Sequence, residues 1–131
     1  MNILKLFKRQ PQGSKYMPQG EVIVNKKRQK HQIIRTLLQR SGSPVSVLDI
    51  VRKSNALNHT ARITELRHDL YKIAGKPTHV DFKRDMIRNV KQIAVDNSGE
   101  KYTVSTYILM PDFHDSAVQL EAKLRKEVNN G

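Results

Sequence analysis

Residues 46–71 read SVLDIVRKSNALNHTARITELRHDLY. In the second half, Ile63, Leu66 and Leu70 recur three and four apart, the spacing of a helix with one apolar stripe, and polar Asn58, His59 and Thr60 open it. That helix is expected to end near Leu70 or Tyr71. In the first half, Ser46 caps a two-turn helix, VLDIVRKS, in which Asp49 at the third helical position completes an approximate capping box. Leu48, Val51 and Val47 are expected to point inward. Asn55 to Leu57 make a tight polar turn between the two helices, and such a pair is the helix-turn-helix pattern.

Upstream, a helix starts near Asn25 and runs through KKRQKHQIIRTLLQR, with Ile33, Ile34, Leu37 and Leu38 as its buried stripe. Ser41-Gly42-Ser43-Pro44 ends it. Downstream, Gly75-Lys76-Pro77 is a breaker, and in THVDF the alternation of Val80 and Phe82 predicts a short strand. Residues 83–89, KRDMIRN, carry no clear pattern. VKQIAV, DNSGE and KYTVSTYIL then spell a β-hairpin: Ile93 and Val95 alternate on one arm, Tyr102, Val104, Thr106 and Ile108 on the other, and Asn97-Ser98-Gly99 supply the turn. After Pro111, Ala117, Leu120, Leu124 and Val128 share one face of a last helix. That narrow stripe suits either the domain core or a second copy of itself, and the second is favoured because helix-turn-helix readers commonly bind as dimers.

The expected fold is therefore α+β: a winged helix-turn-helix with a three-helix core, a β-hairpin wing and a C-terminal helix. Residues 1–24 are expected to be a flexible basic arm, residues 25–110 the domain, and residues 111–131 the C-terminal helix. The arm's KRQPQGSKYMPQG, residues 8–20, mixes Pro and Gly with polar residues.

At 131 residues the chain fits one domain. It has no cysteine, which excludes a disulfide framework and a thiolate metal site and makes a cytoplasmic setting the default expectation. The opening MNILKLFKRQ is too short in apolar residues for a signal-peptide core or a spanning helix, so no membrane partner is expected; a membrane-surface arm is the minor alternative. The formal net charge is +12. Residues 1–40 hold ten basic residues and one acid, whereas residues 41–131 hold fourteen and eleven, so the excess sits at the N-terminal end. Such a patch attracts phosphate backbones through counterion release, although a solvated basic surface has the same composition.

The stretch ALNHTARITELRHDLYKI resembles the recognition-helix segment of small phage and prophage helix-turn-helix proteins, through Arg62, Ile63, Thr64, Glu65, Leu66 and Arg67, with Tyr107-Ile108-Leu109 matching the end of their wing. The likeness covers roughly residues 30–109. It departs at Gly75, which lies several residues beyond the expected helix end instead of directly after it. The resemblance implies a DNA-binding protein encoded by a phage or mobile element.

With Ile63, Leu66 and Leu70 inward, the opposite face of the helix carries Asn58, Ala61, Glu65 and His68, flanked by Thr64 and Arg62. These six are the candidate base contacts, since Asn pairs with adenine, Arg with guanine and an alanine methyl with thymine. Glu65 is expected to orient Arg62. The candidate backbone contacts are Lys26, Lys27, Arg28, Lys30, Lys53, Thr60, Arg67, Lys91 and Lys101, with Lys83, Arg84 and Arg88 extending the footprint; for Arg67 a structural ion pair with Asp69, Glu65 or another acid is at least an equal alternative. The cluster at residues 26–30 opposes its own helix dipole, which suggests a purpose beyond folding.

No catalytic residues, cofactor or metal are expected. The five histidines show no metal-ligand spacing, His79 and Asp81 being a surface pair, and the six glycines form no phosphate-binding loop. The expected function is sequence-specific binding of double-stranded DNA as a transcriptional regulator. An accessory role in replication, excision or packaging uses the same surface. A rival of another class is a protein-interaction module that docks an acidic host protein.

Overall fold

The computed structural model describes residues 25–40 and 42–130. The expected arm, residues 1–24, lies outside the described residues. Four helices and a small antiparallel sheet form one α+β arrangement: α1 (Lys26–Gln39), β1 (Val45–Ser46), α2 (Val47–Ser54), α3 (His59–Ile73), β2 (Ile87–Val95), β3 (Lys101–Leu109), a short 3-10 turn (Pro111–Phe113) and α4 (His114–Asn130). The strand order is β1-β3-β2.

Local chemistry sets the helix ends. The Asn25 side chain accepts from the Arg28 N–H at 3.0 Å and starts α1. Ser46 Oγ accepts from the Asp49 N–H at 3.1 Å and starts α2, while the Asp49 carboxylate turns to Arg40 at 3.2 Å, so only half of the capping box forms. Asn55 ends α2 in the left-handed region, with φ 56°, a conformation that Asn tolerates better than most L residues. Ser54 tightens the same turn, donating to the Ile50 carbonyl at 2.6 Å and accepting from the Ala56 N–H at 3.1 Å.

Helix α3 runs past Tyr71 to Ile73 and closes in a Schellman motif. The Lys76 N–H reaches the Tyr71 carbonyl at 2.9 Å, and the Gly75 N–H reaches that of Lys72 at 3.1 Å. Gly75, at φ +86°, thus stands directly after the helix. The expected end at Leu70 or Tyr71 falls short because the apolar stripe continues to Ile73, which packs against the core.

All four helices and the sheet contribute to the core. Ile33, Ile34 and Leu37 of α1, Ile50 of α2, Ile63, Leu66 and Leu70 of α3, Ile87 and Leu109 of the sheet, and Leu120 and Leu124 of α4 are fully or almost fully buried. Each such side chain stabilises the fold by about 1.5–3 kcal/mol. The α4 stripe of Ala117, Leu120 and Leu124 therefore packs within its own chain, chiefly against α1, and not on a second copy as expected. A second correction concerns α2: Leu48 is 59 % exposed, because the inward face is set by Ile50 and Ser54, one helical turn apart.

Residues 78–82 form no strand. Asp81 and Asp85 fold them into turns instead: the Asp81 N–H donates to the Asp85 carboxylate at 2.9 Å, and the Lys83 N–H to Asp81 Oδ1 at 3.1 Å. Asx bonds of this kind offer the backbone an alternative to a ladder. Val80 and Phe82, which suggested the strand, pack against the core from this loop.

The hairpin is longer than its sequence signal. Its ladder runs from Ile87 opposite Leu109 to Val95 opposite Lys101. Its loop is Asn97-Ser98-Gly99, with Gly99 at φ +87° and Asp96 Oδ1 accepting from the Ser98 N–H, the Ser98 hydroxyl and the Glu100 N–H. Val45 and Ser46 join the sheet opposite Tyr107 and Thr106.

Candidate nucleic-acid interface

At 100° per residue, the buried stripe of α3 leaves Asn58, Ala61, Thr64, Glu65 and His68 within one arc on the other side. Asn58 is exposed at the N-cap position, and its side chain makes no capping bond, which leaves its amide for an outside partner. Thr64 is exposed and its hydroxyl donates to the Thr60 carbonyl at 3.0 Å. Ala61 and Glu65 are half-buried. Leu57, which sequence reasoning missed, is 89 % exposed just before them. No periodicity marks it, because it belongs to the turn.

Arg62 departs from its expected place. It is only 5 % exposed, with Nη2 donating to Glu65 Oε2 at 3.3 Å and Nε 3.1 Å from Oε1 but off the hydrogen-bond axis. The expected Arg62–Glu65 pairing is present, yet it draws the guanidinium into the protein instead of aiming it outward. His68 is exposed and at the same time covered on one side: Phe82 lies 4.8 Å from it and 5.2 Å from Tyr71, ring centre to ring centre. The loop after α3 thus leans on the C-terminal half of the helix and carries exposed Lys83 and Arg84 beside it.

The basic candidates divide into engaged and open groups. Lys30 pairs with Asp69 of α3 at 2.8 Å, joining two helices. Arg67 donates to the Ile87 carbonyl from Nε at 3.0 Å and Nη2 at 2.7 Å, with its guanidinium 6.0 Å from the centre of the Tyr107 ring. Burial pushes its pKa below the ordinary arginine value, against the smaller opposing pull of Tyr107 and Asp81. Neither of its expected acidic partners holds it. Each of these two cations therefore has a partner within the fold.

Lys26, Lys27, Arg28, Lys53, Thr60, Lys91 and Lys101 are exposed, as is Arg88. Lys27 lines a shallow hollow with Lys126, Glu127 and Asn130, placing it by the last turn of α4. The negative end of that helix offsets its charge, which gives one member of the cluster a structural reason to be there. The hairpin is less basic at its end, where Asp96 and Glu100 flank the loop. The hydroxyl of Ser98, followed by the Glu100 N–H, holds the Asp96 carboxyl below the usual aspartate range.

A cleft of about 700 Å³ opens between the loop after α3, the base of β2 and the start of α4, lined by Pro77, His79, Asp85, Arg88 and Phe113 among others. Among the described residues no group of three or more His, Asp or Glu side chains is placed to hold a metal, and no helix is long and apolar enough to cross a membrane. Comparison with protein-family models, curated proteins and solved structures gave no match.

Proposed function

We propose that the chain is a winged helix-turn-helix protein that binds duplex DNA sequence-specifically and regulates transcription for a phage or mobile element in a bacterial cytoplasm. In this reading α2 and α3 form the helix-turn-helix, α3 enters the major groove, and the β2–β3 hairpin is the wing. The observation that carries it is the open arc of Asn58, Ala61, Thr64, Glu65 and His68 on a helix braced by α1 and α4 and tied to β2 through Arg67. Base edges are read by such short polar side chains on a rigid helix. Lys26, Arg28 and Lys53 supply backbone attraction, with Lys83, Arg84 and Lys91 on the hairpin side.

Selection from a random duplex pool near physiological ionic strength tests this. A recovered motif, lost on Asn58→Ala with Thr64→Ala, supports the reading. Equal, steeply salt-dependent binding of all duplexes would reject sequence specificity.

A second reading is favoured by the burial of Arg62, which removes the one arginine expected to read guanine: the same cations would dock an acidic protein. Partner capture that survives nuclease treatment, with DNA behaviour unchanged in the double variant, would select it. An accessory role in replication, excision or packaging needs no different surface.

A further inference from the structure

The long edge of β2 is unpaired in the sheet, which ends there in the order β1-β3-β2. Along Ile87–Val95 the backbone donors and acceptors of Asn89, Lys91, Ile93 and Val95 face outward, while those of the even-numbered residues turn to β3 and the Ile87 carbonyl is taken by Arg67. Such an edge is a template for another strand unless something blunts it. Beyond exposed Lys91 and Gln92 its outer half carries Ile93, 75 % exposed, and Val95, 57 % exposed, on one face, with exposed Tyr102 of β3, opposite Ala94, on the other. The acidic end of the hairpin, Asp96 and Glu100, contrasts with a chain whose net charge is +12, so another copy of this chain offers the opposite charge.

Two-fold pairing of a strand with itself places residues of equal parity opposite each other, which leaves few registers. Centred on Lys91, it sets two lysines face to face, a destabilising arrangement. Centred on Gln92, it removes that clash. Arg88 then stands opposite Asp96 at both ends, Val90 opposite Ala94, and the stem of Lys91 over Ile93. We propose that a second copy of this chain pairs antiparallel along β2 in this register, Arg88 against the partner's Asp96, to make one continuous sheet of two three-stranded halves. This contact is closed and symmetric, as homodimer interfaces are. It puts self-association on the hairpin after α4 has been taken into the core.

The chain has no cysteine, so a single introduced thiol reports on the contact alone. Directly opposite residues in an antiparallel pair have Cα atoms about 4.5–5.5 Å apart, within disulfide range. Full-length Gln92→Cys, free of nucleic acid, is expected to give a disulfide-linked pair on air oxidation far faster than Val118→Cys on α4. Unmodified chain is expected to sediment as two chains at near-physiological salt, and Arg88→Asp as one, with its helical circular dichroism unchanged; Arg125→Asp is expected to keep the two-chain mass. A single-chain mass for the unmodified protein overturns the proposal. So does cross-linking at Ile93→Cys without cross-linking at Gln92→Cys, which would deny the Arg88–Asp96 register. No DNA enters the experiment, so its failure is separate from that of the DNA-binding reading.

Discussion

The Arg67 guanidinium donates twice to the Ile87 carbonyl, at 3.0 and 2.7 Å, and so pins the middle of α3 to the first residue of β2. Two charge-assisted bonds to one carbonyl set the distance between the helix and the hairpin. Arg67→Ala is expected to lower unfolding stability in urea by about 2 kcal/mol, the usual value of bonds to a charged group. Under the proposed DNA-binding function, the salt dependence of binding should be unchanged, because both bonds of this cation go to the Ile87 carbonyl. A reduced salt slope at unchanged stability would return Arg67 to the DNA surface.

The open and engaged cations separate in the same titration. Replacing Lys26 and Arg28 with Gln should flatten the dependence of log K on log salt by about 0.9 for each phosphate that the protein no longer neutralises. Lys30→Gln should leave the slope alone and loosen α1 from α3, since Lys30 lies 2.8 Å from Asp69.

Asn55 ends α2 at φ 56°. Asn55→Gly is expected to be tolerated, and Asn55→Val to cost about 1–2 kcal/mol, because a β-branched residue is disfavoured in the left-handed region. Equal stability of the two variants in chemical denaturation would show that the turn adopts another conformation.

Hydrogen bonds from Ser98 and Glu100 hold the Asp96 carboxyl below its ordinary pKa. A depressed folded-state value contributes stability that is present above the unfolded aspartate pKa of about 3.9 and is lost as pH falls through the folded one. Hairpin amide signals should therefore shift in acid below that point. Asp96→Asn should remove this component of the titration, and an identical pH profile in the variant would contradict the assignment.

Leu120 fills the space between α4 and the rest of the core and is 1 % exposed. Leu120→Ala should cost about 2–5 kcal/mol by leaving a cavity. Ending the chain at Pro111 should abolish cooperative unfolding, since α1 would lose the surface it packs on. A folded, stable shortened chain would refute the intramolecular role of α4.

The helices were legible because their stripes are regular. Ile33, Ile34 and Leu37, and Ile63, Leu66 and Leu70, carry the 3.6-residue period and are buried. Where tertiary context or polar side chains decide, periodicity misled. Val80 and Phe82 alternate like a strand, yet Asp81 and Asp85 close turns around them. Leu48 had the right composition for the core, but the helix turns Ile50 inward. Val45 and Ser46 are too few to show a period, and their pairing with Tyr107 and Thr106 depends on chain sixty residues away. At the candidate site, the exposed arc of α3 followed from its stripe. The tucked Arg62 and the Phe82 cover on His68 depend on neighbours that no single-helix projection contains.

The first described helix lies against the last: His31 Nε2 is 2.8 Å from Glu121 Oε2, across ninety positions of sequence. During translation, α1 emerges long before its cover exists, and its apolar stripe stays without that cover until α4 has left the ribosome. Contacts of this span slow folding and bind its steps together. A chain interrupted before α4 would leave the apolar surface that Ala117, Leu120 and Leu124 cover exposed to solvent.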